Sequence, residues 1–249
     1  MRVAVFLLAW SWSLPALAAP ELPSIDAITA KLNDLYRGSS SHGTMTMTIN
    51  TKRYTRKLTM ESWSKGDDYS LVVVRKPARE AGTATLRTPD GMWNYAPRAD
   101  RMVRIPSGLL SESWMGSHLT NEDLMRESDY QDDYQTSLAW HEEDGKRRLQ
   151  LTMQPKPEAA VVWTKIVQTL RPADWLPLKA EYYDQNEVVR VVHFKQIKTM
   201  NGRTIPTVME VRPTDSPEEY TRLTYASINF NANVRRAKFT QRGLRRVAR

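Results

Sequence analysis

Between residues 44 and 230 the chain repeats mostly with a period of two. In Thr44-Met45-Thr46-Met47-Thr48-Ile49, threonines alternate with large apolar side chains, which predicts a strand with one wet and one dry face. The next segment keeps Leu58 and Met60 in phase with Tyr54 and Arg56, while Thr55, Lys57, Thr59 and Glu61 point the other way. Residues 71–74 form an apolar run, and residues 82–88 alternate less clearly. Strand-like segments resume at 134 and continue to Phe230, with Asp90-Gly91, Asp144-Gly145 and Asn201-Gly202 as hairpin signals. Together they predict about eleven strands. The helical period occurs before them, where Ile25, Ile28, Leu32, Leu35 and Tyr36 make one apolar stripe. Ser24 is placed to cap that helix and Gly38 to end it in the left-handed conformation. One long helix is too few for crossover connections, so the sheet is antiparallel. A sheet this wide curls, and its concave face is the place for the lone amphipathic helix.

Residues 89–124 break this rhythm. Two short strand-like pieces, 92–96 and 101–105, are followed from Pro106 by a small, apolar, irregular stretch with Trp114 and Met115 beside Gly116. This reads as a flap. Thr120 and Asp123 have the spacing of a capping box, predicting a short helix through Arg126.

The N-terminus changes the expected address. Arg2, an apolar run from Val3 and the small-residue pattern Ala16-Leu17-Ala18 predict a signal peptide over residues 1–18, cut after Ala18. That leaves one β domain over 19–234 and a basic tail over 235–249. The chain has no cysteine, which excludes disulfides, thiolate metal sites and a lipid-bearing cysteine. The expected location is the periplasm, without a lipid anchor. The last fifteen residues hold seven basic side chains and no acid, nearly all of the net charge of +8. Basicity confined to the tail points to a docking surface or anionic lipid, not to a nucleic-acid groove.

Catalytic constellations are missing. There is no Gly-rich phosphate loop, GxSxG elbow or HExxH. His42, His118, His141 and His193 are scattered. His141-Glu142-Glu143-Asp144 enters a hairpin, where alternate side chains diverge, so it reads as a solvated turn. Ser117-His118 with Asp123 lacks any means of forming an oxyanion hole. No catalytic residue, metal ligand or cofactor is assigned. The apolar inventory is more informative: eleven methionines and eight tryptophans. Met45, Met47 and Met60 fall on dry strand faces, and methionine suits a surface that must accept varied apolar partners. Arg56 shares their parity, so it must either snorkel outward or meet an anion.

The flap and the strands before it read Asp90-Gly91-Met92-Trp93-Asn94-Tyr95-Ala96-Pro97, Arg101-Met102-Val103-Arg104-Ile105-Pro106, Trp114-Met115-Gly116-Ser117 and Thr120-Asn121-Glu122-Asp123-Leu124. With these segments the sequence resembles the LolA-like family of periplasmic proteins associated with outer-membrane lipoprotein sorting. Leu176 to Asp184, Asn201 to Thr207, and Phe239-Thr240 with Leu244 extend the resemblance. His118 stands where the family pattern leads one to expect an acid.

The resemblance implies a mainly β fold, a curved, incomplete antiparallel barrel wrapped around an N-terminal helix and short lid helices. It implies carriage of lipid or lipoprotein acyl chains between an inner-membrane transporter, of the RND type, and an outer-membrane acceptor. This chain would be a paralogue with its own cargo. The alternative is a lipid-sensing adaptor of an RND-type export system. Expected cavity and lid residues are Met45, Met47, Arg56, Leu58, Met60, Leu71, Val73, Trp93, Trp114 and Met115.

Overall fold

A computed structural model describes residues 21–125 and 133–249. The expected signal peptide and Arg126 lie outside the described residues. Thirteen strands among the described residues form one sheet, every neighbouring pair antiparallel. The first six are β1 (Ser40–Asn50), β2 (Thr55–Lys65), β3 (Tyr69–Lys76), β4 (Ala84–Thr88), β5 (Gly91–Ala96) and β6 (Arg101–Arg104). The other seven are β7 (Tyr134–Glu143), β8 (Lys146–Pro155), β9 (Lys165–Leu170), β10 (Pro177–Asp184), β11 (Glu187–Met200), β12 (Arg203–Pro213) and β13 (Tyr220–Phe230). The order is two meanders joined at the β1–β13 pair, which leaves β6 and β7 as the edges. The sheet is curved and open, not a closed barrel. The count exceeds eleven because the β4–β6 end is built from short strands. β4 is buried on both faces and β6 is four residues long at an edge, so neither shows a sustained alternation.

Turn chemistry sets the register. Asp144 and Gly145 both have positive φ, as do Asn201 and Gly202, the mirror-image turn that suits strand twist. Glu143 then faces Lys146, and Met200 faces Arg203. In β1 the threonines and methionines separate as their period demands, and Met45, Met47 and Ile49 are buried.

Helix α1 (Ile25–Asp34) ends in a turn at Gly38, which adopts φ +61°. Ser24 caps through its carbonyl, bonded to Ile28 N (3.1 Å), and its hydroxyl takes no part. Ile28 packs with Leu149, Leu151 and Leu170, and Leu35 with Leu176, Ile205, Ile228 and Phe230. Both clusters are on the inner face, with the main core around Met47, Leu58, Met60 and Trp114.

A second core occupies the outer face. The basic tail is folded: a 3-10 turn (Arg236–Phe239) leads to a C-terminal helix (Gln241–Ala248). Phe239, Leu244 and Ala248 pack on Trp63, Leu71, Val73 and Leu86. Thr240 caps the helix by accepting a hydrogen bond from Gly243 N (3.0 Å). No helix among the described residues is long and apolar enough to cross a membrane.

Candidate functional site

The flap leaves β6 at one edge of the sheet, and the chain re-enters the sheet at β7, the opposite edge. Over residues 106–125 it folds back on itself. Trp114 N donates to Leu119 O (2.7 Å), Asn121 N to Glu112 O (3.0 Å) and Glu122 N to Leu110 O (2.9 Å). The capping box forms: Thr120 N donates to Asp123 Oδ2 (2.7 Å) and Asp123 N to Thr120 Oγ1 (3.3 Å). It opens the short helix Asn121–Met125.

Beneath the flap and α1 lies a partly enclosed cavity of about 230 Å³. Its apolar lining includes Met45, Val72, Trp114, Leu119, Leu124, Met153, Val192, Phe194, Met209, Leu223 and Tyr225. The polar part of the wall includes Ser41, Ser62, Ser64, Gln168, Asp123 and Arg190. Ser41 and Ser64 satisfy one another, 2.7 Å apart.

Three polar pins hold the flap. At the β2 side, the Arg56 guanidinium forms a two-point ion pair with Glu80 and donates to Met115 O (2.7 Å). The hydrogen bond from Arg56 holds the Glu80 carboxyl below its ordinary range. Tyr54 adds a bond to Gly116 O (3.1 Å). At the opposite side, Arg190 of β11 grips Asp123 with both terminal nitrogens (2.7 and 2.8 Å) and donates to His118 O (3.2 Å). Its guanidinium lies 4.4 Å from the Trp163 ring centre and 4.1 Å from that of Tyr182. His118 is tied to β13, its backbone N donating to Thr221 Oγ1 (2.9 Å) and its ring bonded to the same hydroxyl and to Glu219. The third pin is Glu122, whose carboxylate accepts from Val162 N (3.1 Å).

The expected site residues divide among three environments. Met45 and Trp114 line the cavity. Met47, Leu58 and Met60 are fully buried in the core beside it, and Met115 packs against that core. Trp114 also belongs to this core, and its Nε1 donates to Thr85 Oγ1 (2.9 Å). Leu71, Val73 and Trp93 require correction: all three belong to the outer-face cluster under the C-terminal helix. Their neighbours Val72 and Met92 take the inner positions. A strand buried on both faces loses its alternation, and β3 is such a strand, with Leu71, Val73 and Val74 all buried. Arg56 meets an anion, but that anion is the chain's own Glu80.

The sequence reading missed the far wall, where Val192 and Phe194 alternate on β11, and the Arg190–Asp123 pair. Ser117, His118 and Asp123 are each committed elsewhere, Ser117 Oγ accepting from Leu119 N (3.1 Å). Among the described residues no cluster of histidine, aspartate and glutamate could hold a metal ion.

A broad antiparallel sheet with a lidded inner cavity is a fold that this chain shares with a protein of the LolA superfamily. Residues 66–246 match the model of a family whose description reads "Uncharacterized protein", and the chain belongs to that family. A DUF1329 family protein from Desulfovibrio piger has 25% identity and a TM-score of 0.78, covering 88% of this chain and 96% of its own. A putative outer membrane lipoprotein-sorting protein domain from Vibrio parahaemolyticus has 23% identity and a TM-score of 0.73, covering 87% and 97%. A LolA superfamily protein from Nitrosomonas europaea has 19% identity and a TM-score of 0.73, covering 88% and 98%. The latter two likenesses concern the fold. No curated protein matches the sequence at a significant level.

Proposed function

We propose that the protein is a periplasmic carrier that shelters acyl chains of lipids or lipoproteins in its inner-face cavity. It takes them from an inner-membrane partner and delivers them to an outer-membrane acceptor. The observation that carries this reading is an apolar cavity of about 230 Å³ roofed by a flap whose attachments are polar. An acyl chain of about fifteen methylenes resists transfer into water by about 12 kcal/mol, at roughly 0.8 kcal/mol per methylene. A dry cleft that stands in for the bilayer removes most of that barrier. The present volume is below the roughly 300–1,000 Å³ of a typical small-molecule site. It accommodates a short apolar segment, and larger cargo requires the flap to lift.

Native mass spectrometry of protein isolated from its own periplasm tests this, with fluorescent acyl probes as a second readout. Co-purified lipid and probe binding that lipid displaces are expected. Protein that is lipid-free and inert to every acyl probe would remove the proposal. The same cavity would serve a lipid-sensing adaptor of an RND-type exporter. A carrier moves labelled lipid between two vesicle populations, whereas an adaptor binds it without transfer.

A further inference from the structure

The outer face carries a feature that the cavity does not use. Seven basic residues lie in the last fifteen, and they are fixed in space by the 3-10 turn and the C-terminal helix. Leu244 and Ala248 turn into the outer core, so Arg242, Arg246 and Arg249 are presented to solvent, as are Arg235 and Arg236. Arg245 pairs with Asp100 (2.9 Å). Arg249 lies close enough to Asp100 for its charge to help hold that carboxyl below its ordinary range, whereas no ion pair to a carboxylate forms at Arg235, Arg242 or Arg246 among the described residues. Beside them, between this segment and the β4–β5 hairpin, runs a groove of about 410 Å³. Its walls include Tyr69, Trp93 and Phe239, with Arg236 over the Tyr69 ring (4.9 Å) and Asp90 as its one acid.

We propose that this outer face docks on the surface of an anionic phospholipid bilayer. Arginine fits phosphate oxygens with paired hydrogen bonds, and tryptophan and tyrosine favour the headgroup level. This surface carries mostly positive charge, with Asp90 and Asp100 as the acids beside it, and an aromatic groove, which suits an anionic plane. The cavity and flap are on the opposite face of the sheet. Docking therefore leaves the lid free to move, and the inference stands whether or not the cavity carries acyl chains.

The test is co-sedimentation of purified protein with vesicles of phosphatidylcholine alone or mixed with phosphatidylglycerol. Binding to the mixed vesicles only is expected. It should be released near 1 M salt, where the Debye length falls to about 3 Å. The triple variant R242Q/R246Q/R249Q should bind roughly a hundredfold more weakly. The matching triple lysine variant should retain binding, and acyl-probe uptake should be unchanged in both. Equal binding to the two vesicle types overturns the proposal, as does a glutamine variant that binds like the parent. So does a protein that ignores vesicles but is retained by polyglutamate, which would assign the surface to an acidic protein.

Discussion

Replacing Arg190 by methionine should loosen the flap before it unfolds the protein. The Arg190 and Asp123 side chains are 6% and 10% exposed. Methionine keeps apolar contact with Trp163 and Tyr182 but leaves the Asp123 carboxylate with no cation in a nearly dry site. Removing one partner of a buried pair costs about 3–5 kcal/mol, against a typical total stability of about 5–15 kcal/mol. Asp123 sits on the flap, however, so it can reach water if the flap lifts. That local route relieves most of the penalty without disturbing the sheet. With 1.4 kcal/mol per factor of ten, the lifted population should rise by roughly two to three orders of magnitude.

The assay combines three measurements: hydrogen exchange over residues 106–125, stopped-flow uptake of an acyl probe, and denaturant unfolding. Faster exchange and uptake are expected, with a loss of global stability well below the full penalty. Adding D123N to R190M removes the stranded charge and should recover most of the slow exchange. The reasoning fails if R190M leaves exchange in the flap unchanged, or if the double variant is as loose as the single.

Three further outcomes follow from other contacts. Trp114→Ala should cost about 3–5 kcal/mol and admit bulkier acyl probes, whereas Trp114→Phe loses chiefly the Thr85 bond, about 1 kcal/mol; unfolding curves and probe competition distinguish them. Gly243→Ala places a Cβ 2.1 Å from Ala237 O and 2.7 Å from Lys238 O, so the C-terminal helix should detach and tryptic cleavage at Arg242 and Arg245 should accelerate. Burial of Glu210 pushes its pKa up, but hydrogen bonds from Lys195, Arg222 and Arg212 outweigh this and hold it at about 2. Its stabilisation is therefore complete above its ordinary value near 4.5 and lost as pH falls toward about 2. Glu210→Gln should flatten that part of the stability profile by about 1–3 kcal/mol, allowing for water around the three cations.

The inner face was legible where one side of a strand is wet. In β1 the threonines mark the wet side, so Met45, Met47 and Ile49 could be assigned from spacing alone. Asp144-Gly145, Asn201-Gly202, Gly38 and the Thr120–Asp123 box were equally readable, because each is a local rule with a specific residue requirement. The assignment of faces failed at β3 and β5, where the outer side is also dry. Nothing local reveals that Leu71, Val73 and Trp93 face outward, since the element that covers them is some 150 residues away. The missing signal was in the tail itself: Leu244, Val247 and Ala248 recur at i, i+3 and i+4 after Thr240, the pattern of a capped helix with an apolar side. Its seven basic residues obscured that stripe. Arg190 was not identifiable because its partner Asp123 is 67 positions away.

The way the flap is attached bears on how a carrier can both hold and release. Its pins are hydrogen bonds and ion pairs: Arg56 to Met115 O, Arg190 to Asp123, and Glu122 to Val162 N. When the flap lifts, water can replace each of these bonds; each involves a charged group, so a typical one costs about 1.5–3 kcal/mol net. Trp114 has no such substitute. Exposing it to water forfeits apolar burial at about 25 cal/mol per Å², unless an apolar molecule fills the space it leaves. Lifting is therefore most costly for the empty protein in water and least costly where acyl chains are at hand. On the proposed carrier reading the flap would need no nucleotide to sense its surroundings, because the presence of lipid would set the energy of its open state. Direction would then come from the proposed partners, which need only differ in how well they hold the same chains.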